Sequence, residues 1–229
     1  MDKIKNNFKE VINNLESIKL LDICTGSGEF LKLFINEIKD IKSIDAIDII
    51  SKNIDIPDLN INFQIMNSDN LKFKDNSFDI VTLSNSLHHI EKLDKSLLEI
   101  KRVLKNDGFF IINEMYSNNL NPAQTTHKLL HHFSADIDKY NNIFHRYTYQ
   151  KEELIELISK YFKISSIDEY ITESKLELNE LKNIIKLLIS KVDNDKLDYF
   201  NNKSNEIINN FLSYGFCNAT QLFIICKKH

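Results

Sequence analysis

Short apolar runs alternate with helix-periodic segments along the first half of the chain. The runs are rich in Ile, Leu, Val or Phe and are bounded by polar residues or glycine, which is typical of buried strands. They cover residues 19–24, 43–49, 78–84 and 108–115. Residues 93–104 place their apolar side chains on one helical stripe. The alternation predicts βαβ units and a parallel sheet with helices on both faces.

The pattern changes in the second half of the chain. Residues 117–149 are polar, aromatic and rich in histidine, and they show no clear strand. Amphipathic helices follow, and strands are predicted at 163–172 and 220–228. We therefore predict one α/β domain over residues 1–229, with a Rossmann-like, doubly wound, mostly parallel seven-stranded sheet. Residues 117–149 and 174–214 are predicted to be helical lid insertions within it.

Composition excludes several classes of protein. The hydrophobic fraction of 42% is enough for a core, and the net charge of −4 argues against a nucleic-acid or anionic-membrane binder. The three cysteines, Cys24, Cys217 and Cys226, have no CxxC spacing, so a disulfide framework is not expected. The polar N-terminus does not resemble a signal peptide. We expect a cytoplasmic protein, monomeric or homodimeric, without nucleic-acid or membrane partners.

A glycine turn lies between the first strand and the following helix, in the stretch LLDICTGSGEF. Gly26 and Gly28 allow a ligand to approach the backbone closely. The fingerprint of dinucleotide-binding proteins has a third small residue at the position that Leu31 occupies in this chain. Asp48, at the end of the second strand, can accept both hydroxyls of a ribose. The motif therefore fits a nucleoside better than a dinucleotide.

Four sequence blocks, in order and at the right spacing, resemble a known family. LLDICTGSG resembles the first motif of class I S-adenosylmethionine-dependent methyltransferases. Residues 67–114 are similar, block by block, to the small-molecule, methyltransferase type 11-like branch of that family. The resemblance covers residues 19 to about 114. It implies S-adenosylmethionine as the cofactor, S-adenosylhomocysteine as its product, and a small-molecule methyl acceptor.

The resemblance also implies which residues hold the cofactor. The backbone of Gly26–Gly28 would face the methionine part, and Asp48 would take the ribose hydroxyls. Asp69 would accept the adenine amino group. Cys24 stands where the family usually has another glycine, which reduces the room under the cofactor. The full set of predicted cofactor residues is Asp22, Cys24, Gly26, Ser27, Gly28, Asp48, Ile49, Asp69, Asn70 and Ser84.

Histidines are concentrated in the stretch NPAQTTHKLLHHF, residues 121–133. Asn121 is a good helix N-cap and proline suits the first helical position, so we predict a helix over residues 122–133. Four-residue spacing places His127 and His131 on one face, beside an apolar stripe, whereas His132 points away from the pair. An apolar stripe edged by two imidazoles suits a lid over the crevice.

Three interpretations of His127 and His131 remain open. They are polar residues at a helix–sheet junction, or one is a base or a hydrogen-bond partner of the acceptor. In the third, they bind a metal ion together with Glu114, Gln124 or His145. No HExxH-type pattern completes that third set, so our prediction names His131 and His127 as candidate catalytic residues and no metal.

The acceptor site is predicted from residues that follow the fourth and fifth strands. The candidates for substrate binding are His88, His89, Glu114 and Tyr116. The leading hypothesis is in-line transfer of a methyl group from S-adenosylmethionine to a small molecule. The alternatives are an NAD-dependent oxidoreductase and a degenerate, cofactor-binding regulatory or partner protein without catalysis.

Overall fold

A central sheet of seven strands organises the protein, whose computed structural model describes residues 2–51, 54, 56 and 60–229. The strand order is β3-β2-β1-β4-β5-β7-β6, and the pairs β3/β2, β2/β1, β1/β4 and β4/β5 are parallel. The predicted Rossmann-like, mostly parallel sheet is confirmed. The strands are β1 Ile18–Ile23, β2 Ile41–Asp48, β3 Ile61–Ile65, β4 Phe78–Ser84, β5 Leu104–Met115, β6 Phe162–Tyr170 and β7 Gln221–Lys228.

The direction in which strands are added reverses beside β1. The chain runs outward from β1 through β2 to β3 and then returns to place β4 on the other side of β1. Ligands of such sheets bind outside the carboxyl ends of the strands at this reversal. The residues that end or follow β1, β2 and β4 therefore share one edge, which is where Cys24, Asp48 and Ser84 lie.

Seven α-helices accompany the sheet in the described part of the chain. They are α1 Asp2–Ile12, α2 Glu29–Phe34, α3 Leu93–Val103, α4 Pro122–Tyr140, α5 Lys151–Ser159, α6 Leu178–Ile189 and α7 Leu197–Tyr214. The predicted end of α4 at residue 133 is wrong. The helix continues to Tyr140 because Ala135 and Ile137 are buried and extend its apolar stripe by two turns.

Strand β5 begins earlier than predicted. Leu104 already pairs with Phe78 of β4, and the register then shifts so that Ile80 pairs with Phe109. Residues 105–108, KNDG, separate the predicted helix from the predicted strand and form a bulged excursion inside β5. The exposed Asn106 and Asp107 occupy this bulge.

The chain forms two compact units. The first comprises Met1–Glu114, Ile155–Asp168 and Leu222–His229, and the second comprises Met115–Leu154 and Glu169–Gln221. In the first unit, Phe8 of α1 packs its ring against Phe34 of α2, with centroids 5.1 Å apart. The N-terminal helix is thus part of the sheet unit's own core.

The second unit has a separate apolar core. Helix α4 packs against α7 and α6. Each of the three helices contributes buried residues, for example Phe133, Leu181 and Ile207. Burial of whole apolar side chains of this size contributes about 1.5–3 kcal/mol each. The helices therefore pack around a core of their own.

Candidate functional site

The loop after β1 is held against the end of β2. The Gly26 N–H donates to Asp48 Oδ2 at 2.9 Å, and the Thr25 N–H donates to the Ile47 carbonyl at 3.0 Å. Cys24 and Gly26 both have a φ of 55°, in the left-handed region that favours glycine. The loop therefore turns sharply outside the sheet while two of its N–H groups bind the neighbouring strand.

Gly28 closes the loop immediately before α2. Its φ of 80° is strained for any other residue, and a Cβ built there would lie 2.8 Å from Ile54 Cγ2. A side chain at this position would be strained and would require Ile54 to move. The glycine therefore lets the side chains of Ile54 and Ile56 approach the loop backbone closely.

Asp22 is buried beneath this loop with half of its carboxylate unpaired. Thr82 of β4 donates to Asp22 Oδ1 at 2.5 Å, and the Thr25 hydroxyl lies close enough to the carboxylate to lower its pKa, but neither Asp22 Oδ2 nor Thr25 Oγ1 has a hydrogen bond of good geometry among the described residues. Burial raises the pKa of Asp22 to about 6. Unpaired buried polar atoms are costly, so a polar ligand group that reached them would be favoured.

Asp48, at the end of β2, is half-buried and contacts the loop that follows β1. Its Oδ2 accepts the Gly26 N–H, and its Oδ1 accepts the Ile50 N–H at 3.4 Å. Ile49 is 66% exposed. The carboxylate has lone pairs left for further donors, which agrees with the predicted ribose contact.

The loop after β3 is attached to α3. Asp69 is buried and its Oδ2 lies 3.3 Å from Lys92 Nζ and 3.9 Å from Lys95 Nζ. Asn70, in contrast, is exposed. Arg102 donates to the Phe73 and Leu71 carbonyls at 2.8 and 2.9 Å. Asp69 thus holds the loop to α3, while the predicted contact of Asp69 and Asn70 with adenine stays a prediction.

Glu114, at the end of β5, organises the loop that follows β4. Its fully buried Oε2 accepts the Ser86 and Leu87 N–H groups at 3.1 and 3.0 Å. His88, also fully buried, donates from Nδ1 to Oε1 at 2.7 Å. His89 is exposed on the same turn. Of these candidates for substrate binding, His89 is the one that presents its side chain to solvent.

Ser84 ends β4 with a side-chain partner on β5. Asn113 Nδ2 donates to Ser84 Oγ at 3.0 Å, and the Asn85 N–H donates to the Asn113 carbonyl at 2.7 Å. Asn85 itself has a φ of 46°. The chain therefore leaves β4 through a left-handed residue held by β5.

Tyr116 and His127 have polar partners within the second unit. The Tyr116 hydroxyl donates to Glu169 Oε2 at 3.2 Å, and burial raises its pKa. His127 Nδ1 accepts the Ala219 N–H at 2.8 Å, and burial lowers the pKa of this histidine. A neutral His127 then carries its proton on Nε2, so its one basic nitrogen is already used. This geometry favours the structural interpretation of His127.

His131 has a different partner from His127, although both lie on α4. Its Nε2 is 3.3 Å from His145 Nε2, and His145 Nδ1 is 2.7 Å from Asp138 Oδ2. Gln124 closes the capping box with Asn121 and donates to the Asn218 carbonyl. The predicted pair therefore separates into one histidine bound to backbone and one in a chain of polar side chains.

Comparison with known proteins supports the predicted family. Residues 21–112 match the family model described as a methyltransferase domain. This match and the methyltransferase relatives support a class I S-adenosylmethionine-dependent methyltransferase. None of the helices in the described part of the chain has the length and apolarity that a bilayer-spanning segment needs.

Two relatives illustrate the methyltransferase match. The uncharacterised methyltransferase YcgJ of Bacillus subtilis is 31% identical over 108 residues, which are 43% of this chain and 41% of that protein. The ubiquinone/menaquinone biosynthesis C-methyltransferase UbiE of Citrifermentans bemidjiense is 28% identical over 156 residues, 62% of this chain and 65% of that protein. The chain therefore matches about half of the length of these curated relatives.

Solved structures share the methyltransferase fold over the whole chain. The crystal structure of YcgJ from Bacillus subtilis has a TM-score of 0.63 at 17% identity and covers 100% of this chain and 99% of that one. A methyltransferase from Bacillus halodurans also has a TM-score of 0.63, at 13% identity, covering 99% of each chain. These similarities are of fold.

The candidate site contains residues that the sequence did not single out. Thr82 holds Asp22, Asn113 holds Ser84, and Arg102 holds the loop after β3. Thr82 is a polar residue inside the otherwise apolar run IVTL, a signal that a buried hydroxyl has a partner. The other two residues act through contacts that are distant in sequence and leave no local pattern.

Proposed function

We propose that this chain transfers a methyl group from S-adenosylmethionine to a small-molecule acceptor by in-line displacement. The observation that carries the proposal is the glycine loop held by Asp48 above the half-unpaired Asp22. The glycine loop, the Asp22 and Thr25 oxygens and the Asp48 carboxylate fit a ligand that has both an amino group and ribose hydroxyls.

Different residues would bind different parts of the cofactor. Gly26, Ser27 and Gly28 would meet the methionine part through backbone, and Asp48 the ribose. Asp69 and Asn70 would meet the adenine. The bound cofactor supplies an electrophilic methyl group on a positively charged sulfur. What the chain adds is alignment of the nucleophile and exclusion of water, which can supply several kcal/mol of the barrier, up to about 7–11 in the best cases.

A small acceptor is supported by two observations. UbiE, named for C-methylation in ubiquinone and menaquinone biosynthesis, is among the relatives. The second unit is rich in aromatic side chains, for example Tyr147 and Phe144, which are 47% and 41% exposed. We propose that the helical insertions at 117–149 and 174–214 form a lid that selects a partly apolar small molecule.

Isothermal titration with S-adenosylhomocysteine tests the cofactor assignment. Asp48→Asn should weaken binding about 10–100-fold, because a hydrogen bond to a charged acceptor contributes about 1.5–3 kcal/mol. Asp45→Asn is the matched control. Asp45 lies on the same strand, its carboxylate accepts from Asn62 at 2.6 Å, and its loss should leave affinity unchanged. Equal affinity in Asp48→Asn, or stabilisation of the protein by NAD in place of S-adenosylhomocysteine, would refute the assignment.

Transfer of label tests the activity. With S-adenosylmethionine labelled in the methyl group, we expect label in the small-molecule fraction of a bacterial extract. Label confined to protein or nucleic acid would contradict the proposed acceptor class. Binding of the cofactor with no transfer to any fraction would favour the regulatory alternative.

A further inference from the structure

The loop after β3 is held to itself and to α3 up to Asn70. Asn67 Oδ1 accepts the Asp69 N–H at 3.2 Å, and the Asn67 carbonyl accepts the Asn70 N–H at 3.1 Å. The buried hydroxyls of Ser68 on the loop and Ser96 on α3 share a hydrogen bond of 2.8 Å. The backbone that leads into Asn70 therefore has a defined path.

Leu71, the next residue, is held through both of its backbone groups. Its N–H donates to Glu99 Oε2 at 2.8 Å, and its carbonyl accepts from Arg102 Nη2 at 2.9 Å. Glu99 and Arg102 also form a bidentate ion pair, with both contacts at 2.8 Å. Together they form what we term the α3 clamp. Because arginine presents its donors in a planar fork, the clamp fixes the direction of the backbone at Leu71 as well as its position.

The two residues proposed to meet the adenine differ in exposure. Asp69 is buried, and its Oδ2 lies 3.3 Å from Lys92 Nζ and 3.9 Å from Lys95 Nζ. Its charge is thus paired with lysines at the start of α3. Asn70, between Asp69 and the clamped Leu71, is exposed. The loop therefore presents the Asn70 side chain outward, while the Asp69 carboxylate attaches the loop to α3.

The two side chains also differ in what they can bind. The edge of an adenine has an amino group, which donates, next to a ring nitrogen, which accepts. An asparagine amide has an acceptor and a donor side by side and can pair with both, as it does with adenine in DNA. A carboxylate only accepts, so it pairs with the amino group and repels the lone pair of the ring nitrogen. The amide of Asn70 is therefore the better match for this base.

We infer that Asn70 recognises the adenine of the cofactor through its side-chain amide, with Asp69 and the α3 clamp as positioning residues. This inference rests on the proposed binding of S-adenosylmethionine. Asn70 Oδ1 would accept from the amino group, and Nδ2 would donate to the neighbouring ring nitrogen. Because the backbone on both sides of Asn70 is already held, binding has to order only its side chain. The ligand class selected is a nucleoside whose purine carries an amino group.

Isothermal titration with two ligands tests the inference. One is S-adenosylhomocysteine, and the other is its analogue whose purine lacks the amino group. The wild type should bind the first about 3–10-fold more tightly, as expected for one neutral hydrogen bond. In Asn70→Ala the two affinities should become equal. Asn106→Ala, which removes an exposed asparagine from the bulge of β5, should keep the ratio of the wild type.

The ratio of the two affinities also separates positioning from folding stability. Arg102→Lys keeps the charge but loses the planar fork, so the ratio should fall towards one. A variant that was only less stable would keep the ratio. Asp69→Asn should also keep it, because the clamp still holds Leu71. Lys105→Ala is the control for Arg102→Lys, since it breaks an ion pair with Asp79, 2.7 Å long, outside this loop.

The outcomes separate this inference from the proposed function. If Asp69→Asn loses the preference for the amino group and Asn70→Ala keeps it, the carboxylate recognises the base and the inference is overturned. Equal affinities in the wild type would also overturn it, while binding of S-adenosylhomocysteine would leave the proposed function standing. An unchanged ratio in Arg102→Lys would overturn the positioning role of the clamp. No binding of S-adenosylhomocysteine by the wild type would refute the proposed function itself.

Discussion

Substitutions at Cys24 measure how much the left-handed turn after β1 lowers the free energy of unfolding. Cys24 has a φ of 55°, which L-residues with a Cβ adopt at a cost of about 1–2 kcal/mol. The side chain is half-buried, and burial raises the pKa of the thiol to about 12, so it stays neutral. Two substitutions separate its backbone from its side chain. Cys24→Ala removes the sulfur and keeps the Cβ, and Cys24→Gly removes both.

The magnitude follows from the difference between these two variants. Glycine relieves the strain of about 1–2 kcal/mol but loses about 0.5–1 kcal/mol through the greater freedom of the unfolded chain. Cys24→Gly should therefore be more stable than Cys24→Ala by up to about 1.5 kcal/mol, a difference in Tm of up to about 6 °C for a chain of this length. Since both variants lack the sulfur, its packing cancels in the comparison.

Circular dichroism melts of the wild type and both variants measure the difference in stability. Titration with S-adenosylhomocysteine then measures binding, for which we expect Cys24→Gly to be the tightest of the three, because the loop gains room under the ligand. If Cys24→Ala melts at or above the temperature of Cys24→Gly, the turn is unstrained and the reasoning is wrong. Equal affinities would show that Cys24 takes no room from the cofactor.

Three further predictions concern buried polar groups. Asp22→Asn should stabilise the ligand-free protein by up to about 3 kcal/mol above pH 6, because ionising a carboxyl whose pKa is raised from 3.8 to about 6 opposes folding there. The gain should vanish near pH 4 in urea unfolding, and a gain independent of pH would argue against an ionised Asp22. Glu114→Gln should destabilise the protein by about 1–3 kcal/mol in the same assay, because both carboxylate oxygens accept hydrogen bonds and the amide nitrogen of glutamine cannot. Glu91→Gln, at an exposed position, should have no effect. His127→Ala should lower the free energy of unfolding by a similar amount, because it leaves the Ala219 N–H unpaired. Loss of turnover without loss of stability would instead give this histidine a catalytic role.

The sheet could be predicted because its central strands are buried on both faces. Strands such as β1 and β4 read as mainly apolar runs between polar boundaries, and at 6 and 7 residues they are too short for typical helices. Strand β3 lacks that signal. It lies at the edge of the sheet with exposed or half-buried residues throughout, so its alternating sequence INFQI did not stand out.

The candidate site could be predicted only where the chemistry is local. The glycine turn and Asp48 follow strands directly, and the Asn121 cap of α4 is visible within four residues. The partner of His127 is 92 residues away, and the lysines that pair with Asp69 lie at the start of α3. Such contacts are set by tertiary packing, which neither spacing nor residue type encodes.

The divided core of the second unit limits which segments of the chain could be exchanged by recombination. Helix α4 lies in one segment and α6 and α7 in another, and β6 separates them along the chain. Phe133 packs with Phe200 across this division, with ring centroids 6.0 Å apart. A chimaera that imported either segment alone would join two unmatched half-cores. Homologous exchange between family members should therefore succeed when both segments travel together, and chimaeras with one foreign segment should express as insoluble protein.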